Sequence, residues 1–191
     1  GDGQNTFNIS TASAIVAAAA GVKIAKHGNK SISSKSGSSD LLEYSGIKID
    51  LDEEQSKKCF DNHGITFMFA PKYHKAMKNV ANVRKNIKTR TIFNVLGPLS
   101  NPANAKFQVL GVYEKKLVLP IAEVIKELGV KRALVVHSED GLDEISCEKN
   151  TYVAEVNENK ISEYTINPKD FNLEICALKT LKVTTVEESY K

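Results

Sequence analysis

What this sequence lacks narrows its class before any motif is read. Only three cysteines occur in its 191 residues, Cys59, Cys147 and Cys176, far apart and with no Cys-x-x-Cys pair. A disulfide framework or zinc knuckle finds no support, and the reduced thiols of a cytoplasmic protein are the expectation. No apolar run is long: the longest, Ala14–Ala20, falls far short of a membrane span. There is no basic arm either. The 26 lysines and arginines are spread along the chain and leave a formal net charge of +3. That balance points to neither nucleic acid nor membrane as a partner, while mild basicity suits a phosphate-bearing ligand. Neither an internal repeat nor a long linker is visible, so one domain over residues 1–191 is the economical expectation. What is present is a globular composition, 41% hydrophobic and 26% charged, able to form a sizeable core.

Strand-like and helix-like stretches alternate along the chain. Thr11–Gly21 is rich in alanine and reads as a helix, with Ser10 or Thr11 as N-cap and Gly21 as its stop. Val22–Ala25 follows as a short apolar strand. A second helix is expected near Asp40, where Asp40 and Glu43 have capping-box spacing, and a third after Asp52, closed by Gly64. Ile65–Pro71 reads as a buried strand, and the stretch from His74 carries a helical pattern with Ala76, Val80 and Val83 on one side. Beyond it come a strand FQVLGVY, a helix KLVLPIAEVIKELG interrupted near Pro120, and a buried strand RALVVHS. TYVAEVNENKISEYTI then reads as a β-hairpin around Asn157–Lys160. This order predicts an α/β fold: a mostly parallel central sheet with helices on both faces, plus a β-hairpin region near the C-terminus.

Three segments have the residue types for ligand chemistry. KHGNKSISSKSGSSD, from Lys26 to Asp40, combines Gly28 and Gly37 with Ser31, Ser33, Ser34, Ser36, Ser38 and Ser39, and with Lys26, Lys30 and Lys35 as countercharges. A phosphate site needs such close backbone approach, small donors and a helix start behind it. The same composition would serve a flexible linker, but its place between a strand and a helix start favours a ligand loop. The opening GDG, followed by Asn8-Ile9-Ser10-Thr11, is a second anion cradle or simply a turn and cap. EDGLDE, Glu139–Glu144, follows a strand, where ligands of parallel sheets collect. Its Asp143 and Glu144 are either a hard-oxygen magnesium pair or a solvated acidic turn. Arg84, ten residues after His74, could hold a carboxylate through two parallel hydrogen bonds, although an exposed helical arginine is the ordinary case. No glycine is followed by lysine, so a Walker loop is impossible. His27, His63 and His137 show no metal spacing, and no residue stands out as an acid, base or covalent nucleophile.

Taken in order, GDG, NISTASA, KHGN-x-SISSKSGSSDLLE, NVR-x-x-x-x-x-RTIFNVLGPLSNPA and DGLDE resemble the anthranilate phosphoribosyltransferases of tryptophan biosynthesis. The resemblance runs from residue 1 to about 170. It implies magnesium-dependent transfer of the 5-phosphoribosyl group of phosphoribosyl pyrophosphate to the amine of anthranilate, releasing pyrophosphate. On that resemblance Gly1, Asp2, Thr6, Asn8, Ile9, Ser10 and Thr11 match pyrophosphate-side contacts. Lys26, His27, Gly28, Asn29, Lys30, Ser31, Ile32, Ser33, Ser34 and Ser38 match the phosphoribosyl-binding loop. Asn29 and Arg84 match groups that contact anthranilate. Asp143 and Glu144, with Ser10 beside one ion, match the ligands of two Mg2+ ions. Lys30 departs from the family, where arginine is common; the charge stays and the bidentate fork is lost.

The resemblance further implies a cytoplasmic enzyme, a homodimer for the full-length parent, and neither membrane nor nucleic acid as a partner. The sequence is expected to be a piece of that parent, without the family's N-terminal helical domain and its last helices, and inactive by itself. Two other readings stay open at the level of sequence. One is a pyrimidine nucleoside phosphorylase-like enzyme, which uses phosphate and a nucleoside. The other is a non-catalytic relative that binds nucleic acid on a basic surface.

Overall fold

The computed structural model describes residues 2–30, 37–80 and 91–191, with the backbone alone for Met77, Lys78, Val80 and Phe93. Two compact units emerge. Of the described residues, the loop unit takes in 8–30, 37–80, 91–104 and 185–191, while the hairpin unit is 105–184 with the opening residues through Phe7.

The loop unit begins with α1 (Ile9–Ala19), capped by Asn8, whose side-chain oxygen accepts from the Thr11 N–H. The helix thus starts ahead of the expected Ser10 or Thr11 cap, because asparagine caps as well as serine and Ile9 is no obstacle in a first turn. The chain then turns through Gly21, at φ +91°, into β1 (Ile24–Gly28). This strand ends later than the apolar run Val22–Ala25 indicates. Parallel pairing with β2 (Ile65–Phe69) carries it through Lys26 and His27 to Gly28, which lies opposite Phe69. Backbone ladder bonds, blind to side-chain polarity, set that end.

Helix α2 (Ser38–Tyr44) has Gly37 at its cap. Asp40 lies in the first turn and accepts from the Gly37 N–H at 3.2 Å, so it closes the helix start from within. Helix α3 (Glu53–His63) has the expected ends: Asp52 and Gln55 exchange capping bonds, and Gly64 closes it at φ +72°. After β2 the chain forms a short helix α4 (Ala70–Tyr73), where Pro71 sits in the first turn and needs no N–H partner. The strand therefore stops before Pro71. A 3-10 turn (Lys75–Val80) and α5 (Phe93–Leu99) complete the unit's described middle. Leu42, Ile49 and Phe67 form a small core under these elements, with Phe69 against it.

The hairpin unit is a four-stranded sheet in the order β3 (Phe107–Gly111), β4 (Arg132–Ser138), β5 (Thr151–Asn157), β6 (Lys160–Ile166). β3 and β4 run parallel; β4–β5 and β5–β6 are antiparallel. Asn157 pairs with Lys160 across a two-residue turn, with Glu158 in the left-handed region at φ +53°. Helix α6 (Val118–Glu127) crosses from β3 to β4. Its buried Val118, Ile121, Ala122 and Ile125 follow helical spacing, and the helix packs on β4 and β5, which bury Ala133, Val135, Val136, Val153, Ala154 and Val156 over their two faces. Pro120 does not interrupt this helix. It sits in the first turn, where its missing N–H is one that would be unpaired anyway.

The α/β class is as the sequence predicts. Both parallel pairs, β1–β2 and β3–β4, are present, and the hairpin adds the antiparallel half of the second sheet. Among the described residues no helix is long and apolar enough to cross a membrane. Ile125 is fully buried between α6 and the sheet. We expect Ile125→Ala to destabilise the hairpin unit by about 2–5 kcal/mol in urea unfolding; a loss below about 1 kcal/mol would mean that α6 is not packed as described.

Candidate active site

The loop unit gathers several of the expected phosphoribosyl-site residues around the start of α1. Asn8 Oδ1 accepts from the Thr11 N–H at 3.0 Å and from the Ser38 hydroxyl at 3.3 Å. One carboxamide thereby caps α1 and ties it to the first residue of α2. The Lys26 ammonium, at the middle of β1, donates to Ser10 Oγ at 2.9 Å. Asn8, Ser10, Thr11, Lys26 and Ser38 thus form one hydrogen-bonded group, with a cation and a helix N-terminus on the same side of the chemistry. The buried hydroxyls of Thr11, Ser39 and Thr66 have no hydrogen-bond partner among the described residues.

Gly28 is required by packing. A Cβ there would lie 2.8 Å from Phe67 Cε2 and 3.0 Å from its Cζ, so the ring on β2 fixes how closely the strand end passes. Asn101 adds a support that the sequence reading missed. Its side-chain N–H donates to the Ala25 carbonyl at 3.1 Å, and its oxygen accepts from the Ala103 N–H. It braces β1 one residue ahead of Lys26. The clue was present in SNPA, since Asn before Pro often closes a turn through its own side chain. Lys30 is exposed and bonds to Glu43 at 2.9 Å, a contact that raises the lysine's pKa.

His27 and His74 meet at 3.2 Å between their Nε2 atoms. Burial lowers the His27 pKa to about 4; the neighbouring His74 lowers it further, and a hydrogen bond with the Gly97 backbone works in the opposite direction. His27 is therefore neutral near pH 7. Sequence reading took His27 as a loop residue and gave His74 no role, because nothing in their 47-residue separation announces a contact.

In the hairpin unit the acidic turn follows β4. Asp140 is structural: the hydroxyls of Ser138 and Ser146 both donate to its carboxylate. Asp143 is the group with perturbed chemistry. Burial raises its pKa to about 6, and the Asp2 carboxylate beside it adds to the rise. Asp2 itself accepts from the backbone N–H groups of Gln4 at 2.9 Å and Asp143 at 3.2 Å. The opening GDG turn is thereby fastened to the acidic turn. Two carboxylates crowded in a partly desolvated place favour the neutral form of one of them or a nearby cation. Among the described residues no group of three or more His, Cys, Asp or Glu side chains is placed to hold a metal ion.

Two further residues shape this turn without being legible as functional. Gly111 ends β3 directly beneath it: a Cβ there would lie 1.5 Å from the Asp143 carbonyl oxygen. Gly141 adopts φ +87°, and a Cβ there would lie 2.9 Å from Gln4 Nε2. Thr6 forms an antiparallel bridge with Lys182. Gly1, Ser31, Ile32, Ser33, Ser34 and Arg84 lie outside the described residues. Asn29 is exposed at the end of β1 and accepts from the Lys30 N–H at 2.8 Å.

Two outcomes test this geometry. Gly111→Ala should cost at least about 2–3 kcal/mol through overpacking and displace the Asp143 backbone in a crystal structure; an unmoved acidic turn would contradict the contact. His27 has its folded pKa, about 4, below the ordinary 6.5. The unfolded chain then binds more protons between those values, so the stability that His27 confers is complete above pH 6.5 and is lost as pH falls toward 4. His27→Gln should flatten the rise of unfolding free energy across that window, and an unchanged slope would contradict a neutral, half-buried His27.

Comparisons with known proteins agree with one another. The sequence profile described as "Glycosyl transferase family, a/b domain" matches residues 1–191. An anthranilate phosphoribosyltransferase of Marinomonas sp. (strain MWYL1) is 56% identical over 189 residues, 99% of this chain and 55% of that protein. The crystal structure of an anthranilate phosphoribosyltransferase from Thermus thermophilus superposes with a TM-score of 0.92 at 42% identity, covering 100% of this chain and 56% of the other. The Saccharomyces cerevisiae enzyme, solved in complex with phosphoribosyl pyrophosphate and Mg, gives 0.90 at 34% identity, covering 100% of this chain and 52% of that one. The chain spans about half the length of the curated relatives it matches.

Proposed function

The chain belongs to the glycosyl transferase family, a/b domain, and from that premise we propose that the protein it forms part of is an anthranilate phosphoribosyltransferase. The reaction is transfer of the 5-phosphoribosyl group from phosphoribosyl pyrophosphate to the amine of anthranilate, with release of pyrophosphate. The observation that carries this reading is the hydrogen-bonded group Asn8, Ser10, Lys26 and Ser38 at the N-terminus of α1. It unites small donors, a cation and a helix start, the combination that a sugar phosphate or pyrophosphate needs.

In the loop unit, Lys26 and the backbone of the α1 start oppose the negative charge of the ligand's phosphates. Gly28, seated on Phe67, lets the backbone pass close to the ligand. Lys30, Ser31, Ile32, Ser33 and Ser34 are further phosphoribosyl contacts in this reading, and Asn29 with Arg84 receive anthranilate, Arg84 through the carboxylate. In the hairpin unit, Asp143 and Glu144 hold magnesium, two ions in all, and Asp2 keeps the acidic turn in place through the Asp143 N–H. Bound magnesium supplies charge neutralisation for the departing pyrophosphate. As the bond from the ribose carbon to pyrophosphate breaks, positive charge grows on that carbon. The anthranilate amine bonds there and releases its proton. No acid or base of this chain is needed for that exchange. Holding the two substrates together can account for several kcal/mol of the barrier, of the order attributed to effective molarity.

The whole protein acts in the cytoplasm as a homodimer. The test is the whole protein's consumption of anthranilate, followed by its fluorescence, with phosphoribosyl pyrophosphate and Mg2+ present. Turnover is expected in the parent sequence. The combination Asp143→Asn with Glu144→Gln should abolish it, with partial recovery only at high magnesium. Near-normal rates for that variant at limiting magnesium would sink the metal assignment.

A further inference from the structure

We propose that Cys147 and Cys176 form a reversible modification site, oxidised to one intrachain disulfide by a low-molecular-weight disulfide of the glutathione class. Both residues lie in the hairpin unit, and both are free and exposed. The site does not depend on the phosphoribosyltransferase reading. Nothing in the sequence announces it, since the two cysteines are far apart and belong to no paired motif.

The backbone brings the pair together. The Cys176 N–H donates to the Cys147 carbonyl at 2.9 Å. Such a bond holds the two Cα atoms about 5–6 Å apart, as it does across a strand ladder, and a disulfide spans roughly 4.4–6.8 Å. A second bond fixes the alignment: the Leu178 N–H donates to the Glu148 carboxylate at 2.6 Å. Closure therefore asks for side-chain rotation and no main-chain shift. The sulfurs also feel each other. Burial raises the Cys147 pKa, and the charge of Cys176 comes next, ahead of the Asp140 carboxylate. Asp140 accepts from Ser146, the residue before Cys147, so the Cys176 sulfur acts on Cys147 at close range. Cys59 stands apart in the loop unit, where its thiol donates to the Ile65 carbonyl at 3.3 Å.

The thiolate is the attacking species, and its raised pKa keeps Cys147 protonated, which gives the first attack to Cys176. The Cys176 sulfur bonds to one sulfur of the oxidant, and the other leaves as a thiol. Cys147 then loses its proton and attacks the Cys176 sulfur, expelling the second thiol. Two protein thiols are oxidised and one disulfide is reduced to two thiols. The bridge fastens the segment after the acidic turn, next to the Ser146 hydroxyl that shapes that turn through Asp140.

The experiment treats the full-length protein with oxidised glutathione, quenches with acid and maps the peptides by mass spectrometry. A Cys147–Cys176 linked peptide is expected, about 2 Da lighter than its two reduced parts and released by dithiothreitol. In Cys147→Ser, Cys176 should instead accumulate as a stable glutathione adduct. Unfolding in urea should slow bridging at least about tenfold, because the folded backbone supplies the proximity. The first and last arms use the unaltered protein, so they hold whatever the variant does. Glutathione adducts on both cysteines of the unaltered protein with no linked peptide, or bridging as fast in urea as in the folded protein, overturn the proposal.

Discussion

The loop unit depends on one carboxamide. Asn8 Oδ1 accepts from the Thr11 backbone and from the Ser38 hydroxyl, so the same atom caps α1 and positions the start of α2 from 30 residues away. A helix cap is worth about 1 kcal/mol, a modest figure beside its geometric effect. With α1 and α2 fixed to each other, Ser10 stays within reach of Lys26. Asn101 against Ala25 and Phe67 under Gly28 brace β1 beside them.

The hairpin unit applies a different constraint to its acidic turn. Asp140 is consumed by the Ser138 and Ser146 hydroxyls, which shapes the turn. Gly111 leaves no room under Asp143 for even a methyl group, and Asp2 accepts from the Asp143 N–H. The turn is therefore over-determined, and the like charge of Asp2 and Asp143 is accumulated in spite of its cost. Burial first, and the Asp2 carboxylate beside it second, raise the pKa of Asp143.

Much of this was legible in the sequence, for identifiable reasons. Helix α3 could be read to the residue because Asp52, Gln55 and Gly64 state both ends in local chemistry. The strand RALVVHS and the hairpin followed from apolar patterning and a two-residue turn. The start of α1 was misplaced because Asn8, Ser10 and Thr11 are all competent caps and the choice among them is made by tertiary contact with Ser38. The end of β1 was misplaced because ladder pairing continued past the apolar residues into Lys26 and His27. The loop and the acidic pair were legible as motifs. The residues that hold them, Asn101, Gly111, Asp140 and His74, were not, since each acts through a partner distant in sequence or through backbone that no local pattern describes.

The central claim is that the Asn8–Ser10–Lys26–Ser38 group serves a phosphoribosyl pyrophosphate ligand. The most direct measurement is isothermal titration of the whole protein with phosphoribosyl pyrophosphate in the presence of Mg2+, set against thymidine with inorganic phosphate. The account predicts saturable binding of phosphoribosyl pyrophosphate, at least tenfold weaker in Lys26→Ala, and no response to the nucleoside pair. Binding of thymidine with phosphate in its place, or phosphoribosyl pyrophosphate binding untouched by loss of Lys26, would contradict it.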